Sequence, residues 1–326
     1  MRVKSIDYLD GMHCETTATG TLLRQIGIHL SEPMLFGLGQ GLGFIIWNMK
    51  TMDFPFLGGR IKTDFLTENL SRNLNVTLTV NQTGSISKAW HEVKNLLDGG
   101  NVVGLKLDCY HLEYFSNPFH FAGHYCAIFD YDDTYAYLID TAQQCGWVRT
   151  SLKSLALARS EKGPMSSKNL YYIIQTSGGG IVLKDTILRA VKNNAKDYIN
   201  PPIKNIGYKG IHKTASEIIK WFDKSSNIEG EFNALANIME RGGTGGALFR
   251  NMYRDFLKES FDIINFQPIG EAYHEFVDIA RLWTEVSQLF IKISKTQDRI
   301  FLQNAVEILE LLSEKEKKTM EKLSSI

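Results

Sequence analysis

One cysteine of the chain stands at a position that favours nucleophilic chemistry. Cys14 opens the stretch CETTATGTLLRQIG, which runs from polar residues into apolar residues at helical spacing and ends at Gly27. This pattern predicts a helix over 14–26. A thiol in the first turn of a helix faces unpaired N–H groups and the positive end of the helix dipole, which favour the thiolate. The sequence therefore predicts a reactive cysteine, with a plain core cysteine as the alternative.

A histidine and an aspartate lie on two consecutive predicted strands. His124 begins the run HYCAIFD, and Asp140 ends the run YAYLID. A three-residue loop at 131–133 would pair them directly on one face of a hairpin, whereas a four-residue loop would put them on opposite faces. In the first register the aspartate orients the imidazole, the imidazole takes the proton of Cys14, and the thiolate attacks an acyl group. The three residues predict nucleophilic acyl transfer.

The elements that must position these residues follow mixed patterns up to about residue 176. Helical periodicity predicts helices at 14–26, 62–74, 86–98 and 151–158, and β-rich runs predict strands at 75–80, 101–107, 123–130, 135–140 and 169–175. Several strands with few helices between them predict an α+β domain with a largely antiparallel sheet.

The remainder of the chain is helical in pattern. Helices are predicted at 184–198, 213–226, 231–241, 246–259, 271–295 and 298–324, after the glycine-rich run SGGG. A length of 326 residues also favours two domains. We therefore predict a catalytic domain over 1–176, a linker over 177–183 and an all-α domain over 184–326.

Charge and composition exclude several classes of protein. Lys plus Arg and Asp plus Glu both number 36, so no overall basic field attracts nucleic acid. Four cysteines do not make a disulfide framework, and no apolar run has the length of a signal peptide or a membrane span. We expect a cytoplasmic protein that binds neither nucleic acid nor membranes. Nine basic against four acidic residues at 184–224 indicate a solvated helix face or a docking face for an acidic partner.

Four segments of the chain resemble a known family. HCETTATGTLL, SEPMLFGLGQGLGF, DCYHLEYF and FHFAGHYCAIFDYD are similar to the family of butirosin biosynthesis protein H. The order Cys, His, Asp also resembles that of papain-like cysteine peptidases of the bacteriocin-processing C39 type. The resemblance implies a papain-like (C39-type) cysteine-protease fold with a mostly antiparallel sheet, followed by an all-α domain. It also implies that Cys14, His124 and Asp140 form the catalytic triad.

The same resemblance implies an amide-forming acyltransferase of natural-product biosynthesis. The acyl group would pass from the phosphopantetheine thioester of an acyl or peptidyl carrier protein to Cys14, and then to an amine such as an aminoglycoside or a diamine. No cofactor or metal of its own is expected. The backbone N–H of Cys14 is the expected first oxyanion donor. C39-type enzymes carry a Gln before the cysteine, which this sequence lacks, so the second donor stays unassigned between Tyr8 and His13.

Further residues near the predicted cleft have a binding and a structural interpretation. The carboxylate of Asp108, beside Tyr110 and Tyr114, would hold an ammonium group of the acceptor or cap a turn. Gly39 and Gly41 fit neither a Walker A nor a GxGxxG pattern, and would allow close approach of the backbone to substrate.

Three alternatives to the acyltransferase remain open from the sequence. The types of Cys109, His111, His120, His124 and Cys126 suit zinc, but their spacing does not match a standard zinc site. A thioesterase or cysteine peptidase would use the same triad, and a non-catalytic scaffold would not use it. The long apolar faces of the C-terminal helices also predict a possible homodimer.

Overall fold

The computed structural model describes residues 5–49, 52, 54–180 and 182–326 of the protein. The helices are α1 (Cys14–Gln25), α2 (Glu32–Leu38), α3 (Phe65–Asn73), α4 (Ile86–Asp98), α5 (Leu152–Ser160), α6 (Leu183–Ile199), α7 (Gly207–Lys224), α8 (Ile228–Arg241), α9 (Arg250–Ile264), α10 (Gln267–Thr296) and α11 (Arg299–Ser324). The strands are β1 (Leu42–Trp47), β2 (Phe56–Arg60), β3 (Val76–Asn81), β4 (Val103–Leu107), β5 (His124–Tyr131), β6 (Tyr135–Ile139), β7 (Trp147–Ser151) and β8 (Tyr171–Thr176). Across this part of the chain, none of the helices combines the length and the apolar character needed to cross a membrane.

The described residues form two compact units. The first consists of Met1–Leu35 with Thr63–Ile181, and the second of Phe36–Lys62 with Val182–Ile326. The first mixes helices and strands and the second is mainly helical, so the prediction of an α+β region followed by a helical region is confirmed.

A six-stranded sheet in the order β3-β8-β4-β5-β6-β7 organises the first unit, and all its neighbouring strands are antiparallel, as predicted. Leu105 and the other odd-numbered residues of β4 pack with Val93 of α4 and Leu155 of α5 in one core. Thr19 of α1 instead bonds the hydroxyl of Tyr172, whose partner in the sheet is Gly104. Because side chains alternate along a strand, α1 covers the opposite face of the sheet from α4 and α5.

Residues 36–62, which we expected in the first domain, belong to the second unit. Their hairpin of β1 and β2 is hydrogen-bonded to the chain around α6 and α7. Asn194 Nδ2 donates to the Leu42 carbonyl at 2.9 Å, and Ile46 N donates to the Asn205 carbonyl at 2.9 Å. An isolated two-stranded hairpin is marginal in water, so these helices supply the contacts that it needs.

A fully buried ion pair lies in the core of the second unit. The guanidinium of Arg250 contacts both carboxylate oxygens of Glu316, at 2.9 and 2.8 Å, and both side chains are inaccessible to solvent. Trp283 Nε1 donates to the same carboxylate at 2.6 Å, and the Tyr198 hydroxyl also donates to it. Arg250 Nη1 donates to the Leu248 carbonyl at 2.8 Å. The network ties four separate segments of this unit together.

Removing the cation of this network is expected to destabilise the protein strongly. Arg250→Met should lower the free energy of unfolding by about 3–5 kcal/mol, because Glu316 is then buried without its cation. Arg281→Met is the matched control, since Arg281 pairs with Glu285 at the surface, where a pair is worth at most about 1 kcal/mol. Guanidinium denaturation followed by tryptophan fluorescence measures both variants. Equal, small losses would contradict a structural role for the buried pair.

Candidate active site

The loop before Cys14 is held by a carboxylate from α2. Glu32 accepts hydrogen bonds from the backbone N–H groups of Met12 and His13, both at 2.8 Å, and from Thr16 Oγ1 at 2.7 Å. The negative charge therefore sits at the positive end of α1. Cys14 is the first residue of the helix and its side chain is 8% exposed. The N–H of Cys14 lies in the first turn, where N–H groups have no acceptor within the helix. It is therefore suited to donate a hydrogen bond to an oxyanion.

A backbone hydrogen bond ties this loop to the chain just after Asp140. Ala142 N donates to the Gly11 carbonyl at 2.8 Å. A side chain at Gly11 would lie 2.5 Å from Thr17 Oγ1 and 2.9 Å from Glu32 Oε1, so it would displace the carboxylate that holds this loop. The GMHC segment is thus held between α2 and the end of β6.

His124 and Asp140 form a buried hydrogen-bonded pair. His124 Nε2 and Asp140 Oδ2 are 2.8 Å apart, with 6% and 0% of the two residues exposed. Burial opposes the imidazolium, but the charge of Asp140 outweighs it and holds the pKa of His124 well above its usual value. Burial likewise opposes the carboxylate, and the charge of His124 reverses this and lowers the pKa of Asp140. Because Nε2 is bound to the aspartate, Nδ1 is the nitrogen left to exchange a proton with a thiol.

Three further donors reach the carboxylate of Asp140. The hydroxyl of Tyr114 donates to Oδ2 at 2.7 Å, and Cys126 Sγ lies 3.3 Å from the same oxygen. Thr141 N donates to Oδ1 at 2.6 Å. With His124 the carboxylate has four donors, which fix its position and offset the cost of burying its charge.

The direct pairing of His124 with Asp140, which a three-residue loop would give, is not observed. The structure pairs Asp130 with Tyr137 near the turn and Ile128 with Leu138 farther along, with a bulge between them. Continuing this second register places Cys126 opposite Asp140, and His124 reaches the carboxylate diagonally. The bulge changes the register by one residue, which keeps His124 and Asp140 on one face. Loop length alone does not reveal such a bulge.

The other buried cysteines are poor nucleophiles. Burial raises the pKa of Cys126 to about 12. Burial also raises the pKa of Cys109, and the nearby charge of His124 only partly opposes this. Both thiols therefore stay protonated at neutral pH.

His124, Cys126 and Asp140 also have the ligand types of a metal site. One ligand atom from each lies within 4.8 Å of the others, and all three residues are buried. Asp140 already accepts hydrogen bonds from the other two, so the cluster is internally satisfied as a hydrogen-bonded network. The five-residue zinc alternative is not assembled as one group among the described residues, since His111 pairs instead with Glu161 at 2.6 Å.

The predicted substrate residues have diverse surroundings. Asp108 is 2% exposed and accepts a hydrogen bond from Tyr110 N at 2.8 Å, which caps the short 3₁₀ helix Cys109–His111. Tyr110 is half exposed and its ring stacks on His120, with centroids 4.1 Å apart. Tyr114, predicted to contact substrate, instead donates to Asp140.

The remaining candidates are two glycines of the second unit and two residues that precede α1. Gly39 and Gly41 are buried in the second unit, where a side chain at Gly41 would lie 2.6 Å from the Phe36 ring. Tyr8 lies beside Gly146, and His13 is the buried residue that precedes α1. Glu32 was not among the predicted residues, because no spacing rule connects Cys14 with a carboxylate eighteen positions later in the chain.

Comparison with known proteins gives two matches to family models. Residues 13–141 match the model described as butirosin biosynthesis protein H, N-terminal. Residues 153–323, just over half of the chain, match a domain of unknown function (DUF4872). None of the curated proteins matches the chain. The first match implies an enzyme related to antibiotic biosynthesis, and the two together confirm the resemblance noted from the sequence. The chain therefore carries the N-terminal domain of the butirosin biosynthesis protein H family, followed by a domain of the DUF4872 family over just over half of its length.

Proposed function

We propose that this protein is a cysteine-dependent acyltransferase that forms amides. The observation that carries the proposal is the buried His124–Asp140 pair, in which Nε2 of the imidazole faces the carboxylate, so that Nδ1 is the nitrogen that would exchange a proton with a thiol. The tether from Gly11 to Ala142 supports Cys14 as that thiol, because it joins the nucleophile loop to the aspartate strand. A helix with an N-terminal cysteine, packed on an antiparallel sheet that carries the histidine, also supports a papain-like fold of the C39 type.

The reaction proceeds in two half-reactions. The thiolate of Cys14 attacks the carbonyl carbon of a thioester, with its N–H as one donor to the oxyanion, and the donor thiol leaves with a proton from His124. An amine then attacks the acyl-cysteine, His124 takes its proton, and the Cys14 thiolate leaves. The net change is thioester plus amine to amide plus thiol. Asp140 keeps the imidazole oriented and stabilises its cationic form throughout.

The acyl donor in this proposal is held on the phosphopantetheine of a carrier protein, and the acceptor is a small amine. A peptidase or thioesterase would share the first half-reaction and use water in the second. The identity of the product separates these functions: with an added primary amine, the acyltransferase forms the amide, whereas a hydrolase releases only the acid. A scaffold would form no acyl-enzyme.

Cys14 is expected to carry the acyl group. Incubation with an acyl thioester of N-acetylcysteamine should add one acyl mass to the wild-type protein, detected by intact mass spectrometry and located by peptide mapping. Cys14→Ala should abolish the adduct, and His124→Ala should slow it by about 10²-fold or more, because the proton acceptor is lost. Cys109→Ala is the matched control, since Cys109 is also buried near His124 but stays protonated. An adduct on another cysteine would contradict the assignment.

The protonation of His124 is expected to depend on Asp140. The His124 pKa lies above its usual value in the folded protein, so its imidazolium is kept as the pH rises through 6.5 and is lost only at higher pH. Asp140→Asn removes the negative charge that stabilises the imidazolium, and should therefore lower the pH at which half of His124 is protonated. Titration of the histidine C2–H resonances by NMR, assigned with His124→Ala, measures both proteins. Asp108→Asn, beside His120, is the control that should leave the His124 midpoint in place.

Exposed basic residues of α6 and α7 support docking of an acidic carrier. Lys196 is exposed on α6, and Lys220 on α7 is 61% exposed although it pairs with Glu217. Lys192, also in this basic stretch, is partly buried and donates to the Ile326 carbonyl. We extend the proposal to this stretch as the surface that attracts the carrier.

Charge reversal at Lys196 should weaken transfer from a carrier but not from a small donor. Lys196→Glu is expected to lower kcat/KM several-fold with the carrier-bound thioester and to leave the rate with the N-acetylcysteamine thioester unchanged. The control is Lys88→Glu, an equally large charge change at an exposed position of α4. Equal rates of the two variants with the carrier would reject this docking surface.

A further inference from the structure

Apolar side chains from two loops gather beside the catalytic imidazole. The Phe115 ring meets His124 edge to face, with centroids 5.5 Å apart, and Phe119 packs against Phe115 at 6.2 Å. Phe121 lies 6.4 Å from Phe119. A side chain at Gly123, the residue before His124, would lie 3.2 Å from the Phe121 ring and 3.5 Å from Met165 Sδ. We call Phe115, Phe119, Phe121 and Met165 the apolar collar.

Much of the apolar collar faces solvent. Phe119 is 54% exposed and Met165 is 47% exposed, while Phe115 and Phe121 are partly buried. Phe115 also packs against the core of the sheet, whereas Phe119 does not belong to that core. Leaving a large apolar surface in water forgoes the free energy that its burial would gain, and such surfaces often mark binding sites. Folding of the first unit therefore does not account for the exposed part of the collar.

The apolar collar lies next to His124, and this position restricts which part of a substrate could bind to it. An acyl group on Cys14 must keep its carbonyl near His124, so that the imidazole can pass a proton to and from the reacting atoms. Phe115 is in contact with that imidazole, and the other members of the apolar collar continue outward from it. The part of the acyl group beyond its carbonyl is thus the part of a substrate that would contact the apolar collar.

We infer that the apolar collar is the subsite for the acyl group, and that it selects donors with an alkyl or aromatic acyl chain. The inference rests on the proposed acyltransferase function. Three aromatic rings and a thioether present polarisable, uncharged surface, which suits apolar chains and rings rather than charged groups. A bound chain would also cover the imidazole from water, which favours attack by an amine over hydrolysis.

A series of donors tests this inference on the full-length protein. The rate of acylation of Cys14 is measured by mass spectrometry with the acetyl, hexanoyl and phenylacetyl thioesters of N-acetylcysteamine. Wild-type protein should react faster with the two larger donors than with the acetyl donor. Phe119→Ala should lower the rates for these two by about tenfold and change the acetyl rate less than twofold, because removing apolar contacts affects only chains long enough to make them.

Two further variants complete the comparison. Met165→Ala should show the same selective loss as Phe119→Ala. Phe65→Ala removes a phenylalanine of similar exposure, 47%, on α3, and should leave all three rates unchanged.

The outcomes separate this inference from the function on which it rests. Acylation of Cys14 with no preference among the donors, or an equal loss for all three in Phe119→Ala, would overturn the subsite and leave the acyltransferase standing. The hexanoyl group is also presented on a carrier protein, and a loss in Phe119→Ala seen only with that donor would assign the apolar collar to the carrier protein and also overturn the inference. Absence of acylation from every donor would reject the proposed function, and the acyl subsite with it.

Discussion

The hydrogen bond between His124 and Asp140 is the interaction on which the site depends. A carboxylate with no exposed surface is costly to bury unless donors surround it. The chain supplies these donors from separate places: the start of β5, the loop that contains Tyr114 and the backbone after β6. Satisfying one charge therefore fixes the relative positions of a strand, a loop and a turn. The same constraint sets the direction in which the imidazole faces.

The environment of each cysteine, rather than its residue type, separates the candidates for nucleophile. Burial raises the pKa of the Cys126 thiol, where the charge of Asp140 adds to it, and of the Cys109 thiol, whereas Cys14 begins a helix. The carboxylate of Glu32 binds the N–H groups just before that helix and not that of Cys14. This arrangement rigidifies the loop and leaves the first N–H of the helix suited to an oxyanion. A single acidic residue thus fixes the backbone just before Cys14.

Local patterns were sufficient to predict much of the first unit. The helical spacing after Cys14 predicts α1 to within one residue at its C-terminus, and the runs at 123–130 and 135–140 predict β5 and β6 closely. The strand Trp147–Ser151 and the hairpin of β1 and β2 were missed. Their short, glycine-rich or mixed sequences have weak periodicity of their own, and pairing with other segments decides their structure. The bulge in β5 and the donors to Asp140 likewise depend on tertiary contacts.

The division of the chain into its units has a consequence for biosynthesis on the ribosome. The segment 36–62, which contains the hairpin of β1 and β2, belongs with helices that begin after residue 182, about 120 residues later in the chain. At a synthesis rate of about 5–20 residues per second, the hairpin waits on the order of ten seconds before its partners have been made. During that interval the nascent chain holds two apolar strands whose partner helices do not yet exist. The first unit can complete its sheet in the meantime, so the unit that contains His124 and Asp140 can fold ahead of a segment that precedes most of it in sequence.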